Sequence, residues 1–265
     1  MTTVHTLSSG SSGNALLLSS GGTHLLLDAG ISCRRITLAL RALDLTPEDL
    51  TAILITHTHT DHIAGLATLL KKRRLPVVAS RDAAADLAGR LPAFADCIRV
   101  FPAGGQFTLG SCRVTAFPTS HDAPGACGYR IDTADTAVGL MTDTGYVTPA
   151  AQEVLPGVEV AVLEANHDVE TLRSGPYPYY LKERILGRGG HLSNEDAARF
   201  AVTLARFGAA EVVLAHLSRE NNTPAMALSA AQRAFSAAGL DTDILSVAPR
   251  EQLSRAYGGR VSCRG

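Results

Sequence analysis

The sequence predicts a mixed α/β fold built as one domain over residues 1–265, on three observations. Apolar runs of strand length alternate with stretches of helical periodicity along the chain. Both halves show this alternation, and no Pro/Gly/Ser-rich linker separates them. Several apolar runs end directly in a histidine or an aspartate. At 265 residues and 46% hydrophobic content the chain can bury a full core, and its length is usual for a large α/β domain.

Residues 3–7, 14–19 and 23–28 read as strands. The Ser/Gly stretch Ser8-Ser9-Gly10-Ser11-Ser12-Gly13-Asn14 and the pair Gly21-Gly22 supply the turns between them. The third run ends in Asp28, a carboxylate at a strand terminus. Residues 33–44 have helical spacing through Ile36, Leu38, Leu40 and Leu43, and Pro47 stops any continuation. A strand at 52–55 leads into Thr56-His57-Thr58-His59-Thr60-Asp61-His62, then a helix at 63–72. The bases Lys71 to Arg74 at that helix end serve its dipole and solvation. A strand at 76–79, a helix at 81–89 and a strand near 97–101 complete the first half. In the second half, strands are expected at 106–109, 112–118, 127–132, 136–141, 158–163, 211–215 and 243–247. Helices are expected at 148–155, 193–206 and 224–238, while Pro176 and Pro178 make 168–186 ambiguous and the last fifteen or so residues look peripheral.

Composition removes several function classes. A net charge of -1 and a pI of about 6.7 give no overall basic field, which weakens a non-specific nucleic-acid binder but not an enzyme with a local phosphate site. No apolar run approaches the roughly 18 residues of a membrane span. The first residues lack the basic and apolar regions of a signal peptide, and the five cysteines are scattered without a Cys-x-x-Cys pair. Both features point to reduced thiols and a cytoplasmic location.

The chemistry concentrates in the histidine loop. Residues two apart on an extended chain face one side, so His57, His59 and Asp61 can converge, and His62 joins them if the chain turns there. Imidazoles and a carboxylate are ordinary ligands for a divalent first-row ion. His121, Asp143 and His216 each follow an apolar run, where scattered segments can converge on one site. Together these seven side chains suffice for two ions with one carboxylate between them.

His57-x-His59-x-Asp61-His62, followed at long intervals by His121, Asp143 and His216, resembles the metallo-β-lactamase superfamily over nearly the whole chain. That resemblance implies a four-layer α/β/β/α sandwich, two sheets face to face with helices outside. It implies one ion on His57, His59 and His121, another on Asp61, His62 and His216, Asp143 bridging, and a shared hydroxide as nucleophile. Asp28 would orient a ligand histidine from behind. Four further segments look like the YycJ (WalJ) group, bacterial 5′-to-3′ exonucleases related to tRNase Z and linked to DNA mismatch repair. They are the Ser/Gly stretch, Leu163-Glu164-Ala165-Asn166-His167-Asp168, Gly190-His191-Leu192-Ser193-Asn194, and the segment from His216 through Arg219 and Asn222 to Pro224.

The resemblance implies a dinuclear phosphodiesterase, with His191 donating a proton to the leaving oxygen or holding phosphoryl charge. Glu164 and His167 can orient His191 or the water; a satisfied polar pair is the other reading. Ser193 can cap a helix whose free N–H groups attract phosphate, with Asn194 beside it. Ser12 and Asn14 of the Ser/Gly stretch, and Arg219 and Asn222, carry donors suited to a phosphate backbone; ordinary polar loops are the alternative. Tyr179 and Tyr180, ahead of Lys182, Arg184 and Arg188, can stack on bases. The expected cofactors are two divalent ions, Mn²⁺ favoured over Zn²⁺, and the expected partner is end-bearing or single-stranded DNA, with repair proteins in attendance. An RNA-processing nuclease, a thioesterase or lactam hydrolase, and a metal-loaded sensor are the competing readings.

Overall fold

The computed structural model describes residues 1–102 and 104–258. Its first sheet contains β1 (Thr3–Ser8), β2 (Ala15–Ser20), β3 (Thr23–Leu27), β4 (Ala52–Leu54), β5 (Val77–Ala79) and β6 (Ile98–Val100), in that spatial order. The β1–β2 and β2–β3 pairs are antiparallel, and β3 to β6 run parallel. The second sheet contains β7 (Gln106–Leu109), β8 (Cys112–Pro118), β9 (Cys127–Asp132), β10 (Ala137–Met141), β11 (Val160–Glu164), β12 (Glu211–Ala215) and β13 (Leu245–Val247). Here β10 to β13 are parallel and the β7–β8, β8–β9 and β9–β10 pairs antiparallel.

Side-chain alternation produces the layers. Leu16, Leu18, Leu25, Leu27, Ala52 and Leu54 of the first sheet meet Val114, Tyr129, Ile131, Leu140, Val162 and Val213 of the second. The intervening Leu17, Leu26 and Ile53 point the other way, into a core shared with α1 (Cys33–Arg41), α3 (Leu66–Lys72) and α4 (Arg81–Arg90). On the far side, Met141, Ala161, Leu163 and Leu214 pack against α5 (Pro149–Val154), α8 (Asn194–Arg206) and α9 (Pro224–Ala237). Strands covered on both faces need apolar residues throughout, which is why β4, β11 and β12 read as short continuous runs. Burying each such side chain contributes about 1.5–3 kcal/mol. The result is the α/β/β/α sandwich.

Most element boundaries fall within two residues of expectation, and four segments depart further. The helix expected at 63–72 is two pieces, α2 (Thr60–Ile63) and α3, because the Gly65 N–H donates to the Ala29 carbonyl oxygen at 2.8 Å instead of continuing the helical ladder. The segment expected at 33–44 ends its helix at Arg41, and Asp44 adopts a left-handed φ of 57°. The ambiguous stretch 168–186 forms α6 (Val169–Ser174) and α7 (Tyr179–Leu186), with the two prolines between them. The expectation of a peripheral C-terminal stretch fails up to residue 258. Tyr257 bridges Val4, is buried, and Ser254 hydrogen-bonds Thr6. Cys263 lies outside the described residues. No helix among the described residues is long and apolar enough to cross a membrane.

Candidate metal centre

The parallel strands of both sheets deliver their C-terminal ends to one edge of the sandwich. Asp28 follows β3, Thr56–His62 follows β4, Asp143 follows β10 and His216 follows β12. Asp28, Asp143 and His216 all hold left-handed backbones, with φ of 60°, 56° and 55°. That conformation costs an L-residue about 1–2 kcal/mol, so the surrounding packing must hold all three. His59 is the N-cap of α2, and the turn it starts brings His62 back toward His57, whose ring centroid lies 4.0 Å from that of His62.

All seven side chains expected as ligands assemble here. The potential ligand atoms of His57, His59 and His121 lie within 4.8 Å of one another, and so do those of Asp61, His62 and His216. Asp143 touches both groups, with Oδ2 3.3 Å from His62 Nε2 and Oδ1 3.7 Å from His121 Nε2. Asp61 Oδ2 lies 3.5 Å from His62 Nε2 and 3.6 Å from His216 Nε2.

The ring orientations fit metal ligation. His62 Nδ1 is fixed 2.7 Å from Asp28 Oδ2, whose carboxylate also accepts from the Thr56 N–H and hydroxyl, both at 2.8 Å. His216 Nδ1 lies 3.0 Å from Glu164 Oε1, His57 Nδ1 3.1 Å from Thr56 Oγ1, and His121 Nδ1 3.1 Å from the Gly190 carbonyl oxygen. Each arrangement turns Nε2 toward the centre, where Asn14 Nδ2 also approaches His62 Nε2. His57 Nε2, His216 Nε2 and Asp143 Oδ2 are buried with no hydrogen-bond partner among the described residues. Buried polar atoms ordinarily have partners, so this donor set fits two divalent ions.

The carboxylates and imidazoles of the centre interact strongly through their charges. Burial pushes the Asp143 and Asp61 carboxyls up, but the surrounding imidazoles outweigh it and hold both well below the usual carboxylate range. Burial alone lowers His216, whereas Asp143, Asp61 and Glu164 raise it to about 10. His57, whose burial is the largest influence, is pushed well down.

The residues expected to act beside the ions divide into two sets. Glu164 is fully buried; Oε1 meets His191 Nδ1 at 2.7 Å as well as His216, and Oε2 accepts from Thr144 N–H at 2.9 Å. Burial raises its pKa, but His191 and His216 bring it down to about 2. His191 lies 3.7 Å from Asp143 Oδ1 and keeps 20% of its side-chain surface exposed, so it faces both the centre and solvent. His167 is buried, with neither ring nitrogen partnered among the described residues, and burial pushes its pKa down to about 4.

Several expected substrate contacts are otherwise occupied. Asn194 and Asn222 are buried and pair their amides reciprocally at 3.0 and 2.8 Å, and Asn222 also donates to the Ala165 carbonyl oxygen. Ser193 caps α8, but its hydroxyl donates to Asp196, and Asn194, Asp196 and Ala197 already direct their N–H groups to acceptors within the protein. Glu195 and Asp196 add negative charge at that terminus, which disfavours phosphate. Asn14 is buried and turns Nδ2 toward Asp61 Oδ2 at 3.3 Å and His62 Nε2 at 3.1 Å, so it braces the histidine loop. Ser12, Arg219, Tyr179 and Tyr180 remain exposed. Lys182 donates to the Arg173 and Gly175 carbonyls, and the Arg188 guanidinium lies 4.5 Å over the Tyr146 ring.

Three participants escaped sequence reasoning. Thr56 fixes Asp28 and His57, and Ser9 Oγ accepts from the His216 N–H at 2.8 Å. Asp122 lies 3.6 Å from both His59 Nε2 and His121 Nε2. Its place next to His121 was the available signal.

The chain is similar to several known proteins. The family profile described as Beta-lactamase superfamily domain matches residues 23–217. Exodeoxyribonuclease WalJ from Streptococcus pneumoniae is 39% identical over 226 residues, 83% of either chain. Exodeoxyribonuclease YycJ from Bacillus anthracis is 39% identical over 224 residues, 83% of this chain and 84% of that one. The solved structure of the metallo-beta-lactamase fold protein YhfI from Bacillus subtilis aligns over 96% of this chain and 98% of its own, with a TM-score of 0.70 and 18% identity. At that identity the likeness concerns the fold.

Proposed function

The chain belongs to the β-lactamase superfamily, and from that membership we propose that it is a metal-dependent DNA exonuclease. The observation that carries the substrate is the 39% identity, over 83% of the chain, to two proteins named exodeoxyribonucleases. The geometry supports hydrolysis. His57, His59 and His121 would hold one ion, Asp61, His62 and His216 the other, and Asp143 would lie between them. Two bound ions would lower the pKa of a shared water and neutralise charge on the attacked phosphate.

The protein's own side chains supply the rest. His191 donates a proton to the departing oxygen, and Glu164 holds its Nδ1 so that Nε2 faces substrate. Protonated His191 beside Glu164 also stabilises phosphoryl charge, consistent with its raised pKa, in which Glu164 and Asp143 outweigh the lowering by burial. Tyr179 and Tyr180, 76% and 73% exposed, stack on bases at the strand end, and Arg219 and Ser12 contact the backbone. The single domain acts in the cytoplasm, in mismatch repair, with Mn²⁺ preferred to Zn²⁺ and digestion running 5′ to 3′. The near-neutral charge leaves affinity to this local site or to a recruiting repair protein.

Digestion of DNA labelled at either end, with Mn²⁺ or Zn²⁺ added to ion-free protein, tests this reading. Mn²⁺-stimulated release of nucleotides from the 5′ end is expected, and RNA and a thioester should turn over more slowly. His57→Ala and Asp143→Ala should each lower the rate by about a thousandfold or more, the scale seen when a group essential to transition-state stabilisation is lost. Retained activity in either variant would sink the mechanism, and faster thioester turnover would sink the substrate class.

A further inference from the structure

Each histidine of the centre has two ring nitrogens; when one is aimed at an ion, a neighbour must fix the other. In four of the five candidate ligand histidines the fixed nitrogen is Nδ1, held by Asp28, Glu164, Thr56 or the Gly190 carbonyl. His59 is reversed. Its Nδ1 lies 3.2 Å from His121 Nε2, inside the cluster, and its Nε2 faces Asp122 Oδ1 at 3.6 Å. His59 is also the candidate ligand histidine most open to solvent, with 33% of its side chain exposed, so without a neighbour its ring would be the least restrained.

Asp122 is itself held. Its Oδ2 accepts from Arg184 Nε at 2.6 Å, and its N–H donates to the Gly189 carbonyl oxygen at 3.1 Å. Arg184 belongs to α7, none of whose residues is buried and whose first turn displays Tyr179 and Tyr180. Resting on the dinuclear reading above, we propose that Asp122 is the positioning residue for His59, accepting the proton of Nε2 so that Nδ1 is held toward the ion. Arg184 holds Asp122 in place, which links α7 through two side chains to the ligand loop. Closing 3.6 Å to hydrogen-bond distance takes a carboxylate movement of well under about 1 Å. Asp122 Oδ1 is equally far from His121 Nε2, so direct ligation is the competing geometry. His121 already has Gly190 on Nδ1 and Asp143 on its Nε2 side, whereas Asp122 is the carboxylate facing His59 Nε2.

Calorimetric titration of the ion-free full chain with Mn²⁺ and Zn²⁺ tests the assignment independently of activity. The parent should take up two ions. Asp122→Ala should weaken one of them about ten- to a hundredfold, the range for losing a carboxylate behind a ligand histidine, and leave the other within about twofold. Asp122→Asn, which keeps an acceptor oxygen, should restore affinity to within about threefold of the parent, a rescue that direct ligation by the charged carboxylate would not permit. Arg184→Met should weaken the same ion by a smaller factor, and it carries the test if Asp122→Ala does not fold. Two undiminished affinities in Asp122→Ala and Arg184→Met overturn this inference alone. An Asn variant as weak as the Ala variant overturns it in favour of ligation, and a parent that binds fewer than two ions overturns the dinuclear reading as well.

Discussion

Asn194 and Asn222 show how a polar residue near a reactive centre can serve the fold instead of the substrate. Their side chains satisfy each other, and Asn222 ties α8's first residue to the end of β11 through Ala165. Asn222→Ala would leave the buried Asn194 amide unpaired, at a cost of about 1–3 kcal/mol. For a chain of this size that corresponds to a fall of roughly 2–4 °C in midpoint for each kcal/mol. Thermal unfolding should therefore register the substitution, while the affinity of the folded protein for single-stranded DNA should stay within about twofold. An unchanged midpoint with weakened DNA binding would return Asn222 to the substrate-contact role. Sequence could place Asn222 shortly after the last candidate ligand and Asn194 shortly after His191, but hydrogen bonding across 28 residues decides what they do.

Between elements, two glycines let the turn after β3 lie backbone to backbone against the histidine loop. A Cβ at Gly30 would come 1.6 Å from the Asp61 carbonyl oxygen and 2.7 Å from Asn14 N, and one at Gly65 would meet Ile31 O at 2.0 Å. Gly30→Ala must therefore displace the loop that carries His59, Asp61 and His62. Overpacking of this kind costs about 1–3 kcal/mol or more. Urea unfolding should show that loss, and the refolded variant should bind the ion on Asp61, His62 and His216 more weakly. Gly89 is the control: it occupies an exposed position of α4 with open space around it, so Gly89→Ala should raise stability by about 0.5–1 kcal/mol. A neutral Gly30→Ala would show that the loop accommodates the methyl group.

The same contrast explains what was legible in sequence. Strands came through because sheets covered on both sides require continuous apolar runs, and the histidine loop, Asp143 and His216 came through because each follows such a run. The clearance at Gly30 and Gly65, the division of 168–186 into α6 and α7, and the Asp122–Arg184 pair depend on segments distant in the chain. Local periodicity carries no record of them.

At the scale of the whole molecule, the interface between the sheets makes stability depend on alkaline pH. Cys127 and Tyr129 lie on β9 within that interface. Burial pushes the Cys127 thiol from its usual 9.0 up to about 12 and holds the Tyr129 phenol well above its usual 10.0. The Tyr129 hydroxyl donates to the Ile55 carbonyl oxygen at 2.6 Å, immediately before the histidine loop, so its ionisation would set an anion against an acceptor. Both groups have folded-state pKa values raised above those of the unfolded chain. Their contribution is therefore complete below about pH 9 and is lost as pH rises from there toward 12, where the unfolded chain releases protons that the folded one retains. Each fully resolved group lowers the unfolding free energy by about 1.4 kcal/mol per pH unit in its window. Urea unfolding at pH 8, 9.5 and 10.5 should give progressively smaller free energies, and Tyr129→Phe should make the decline shallower above pH 10 despite losing the hydrogen bond to Ile55. A flat profile for the parent, or an equally steep one for Tyr129→Phe, would mean that water reaches the interface before the fold is lost.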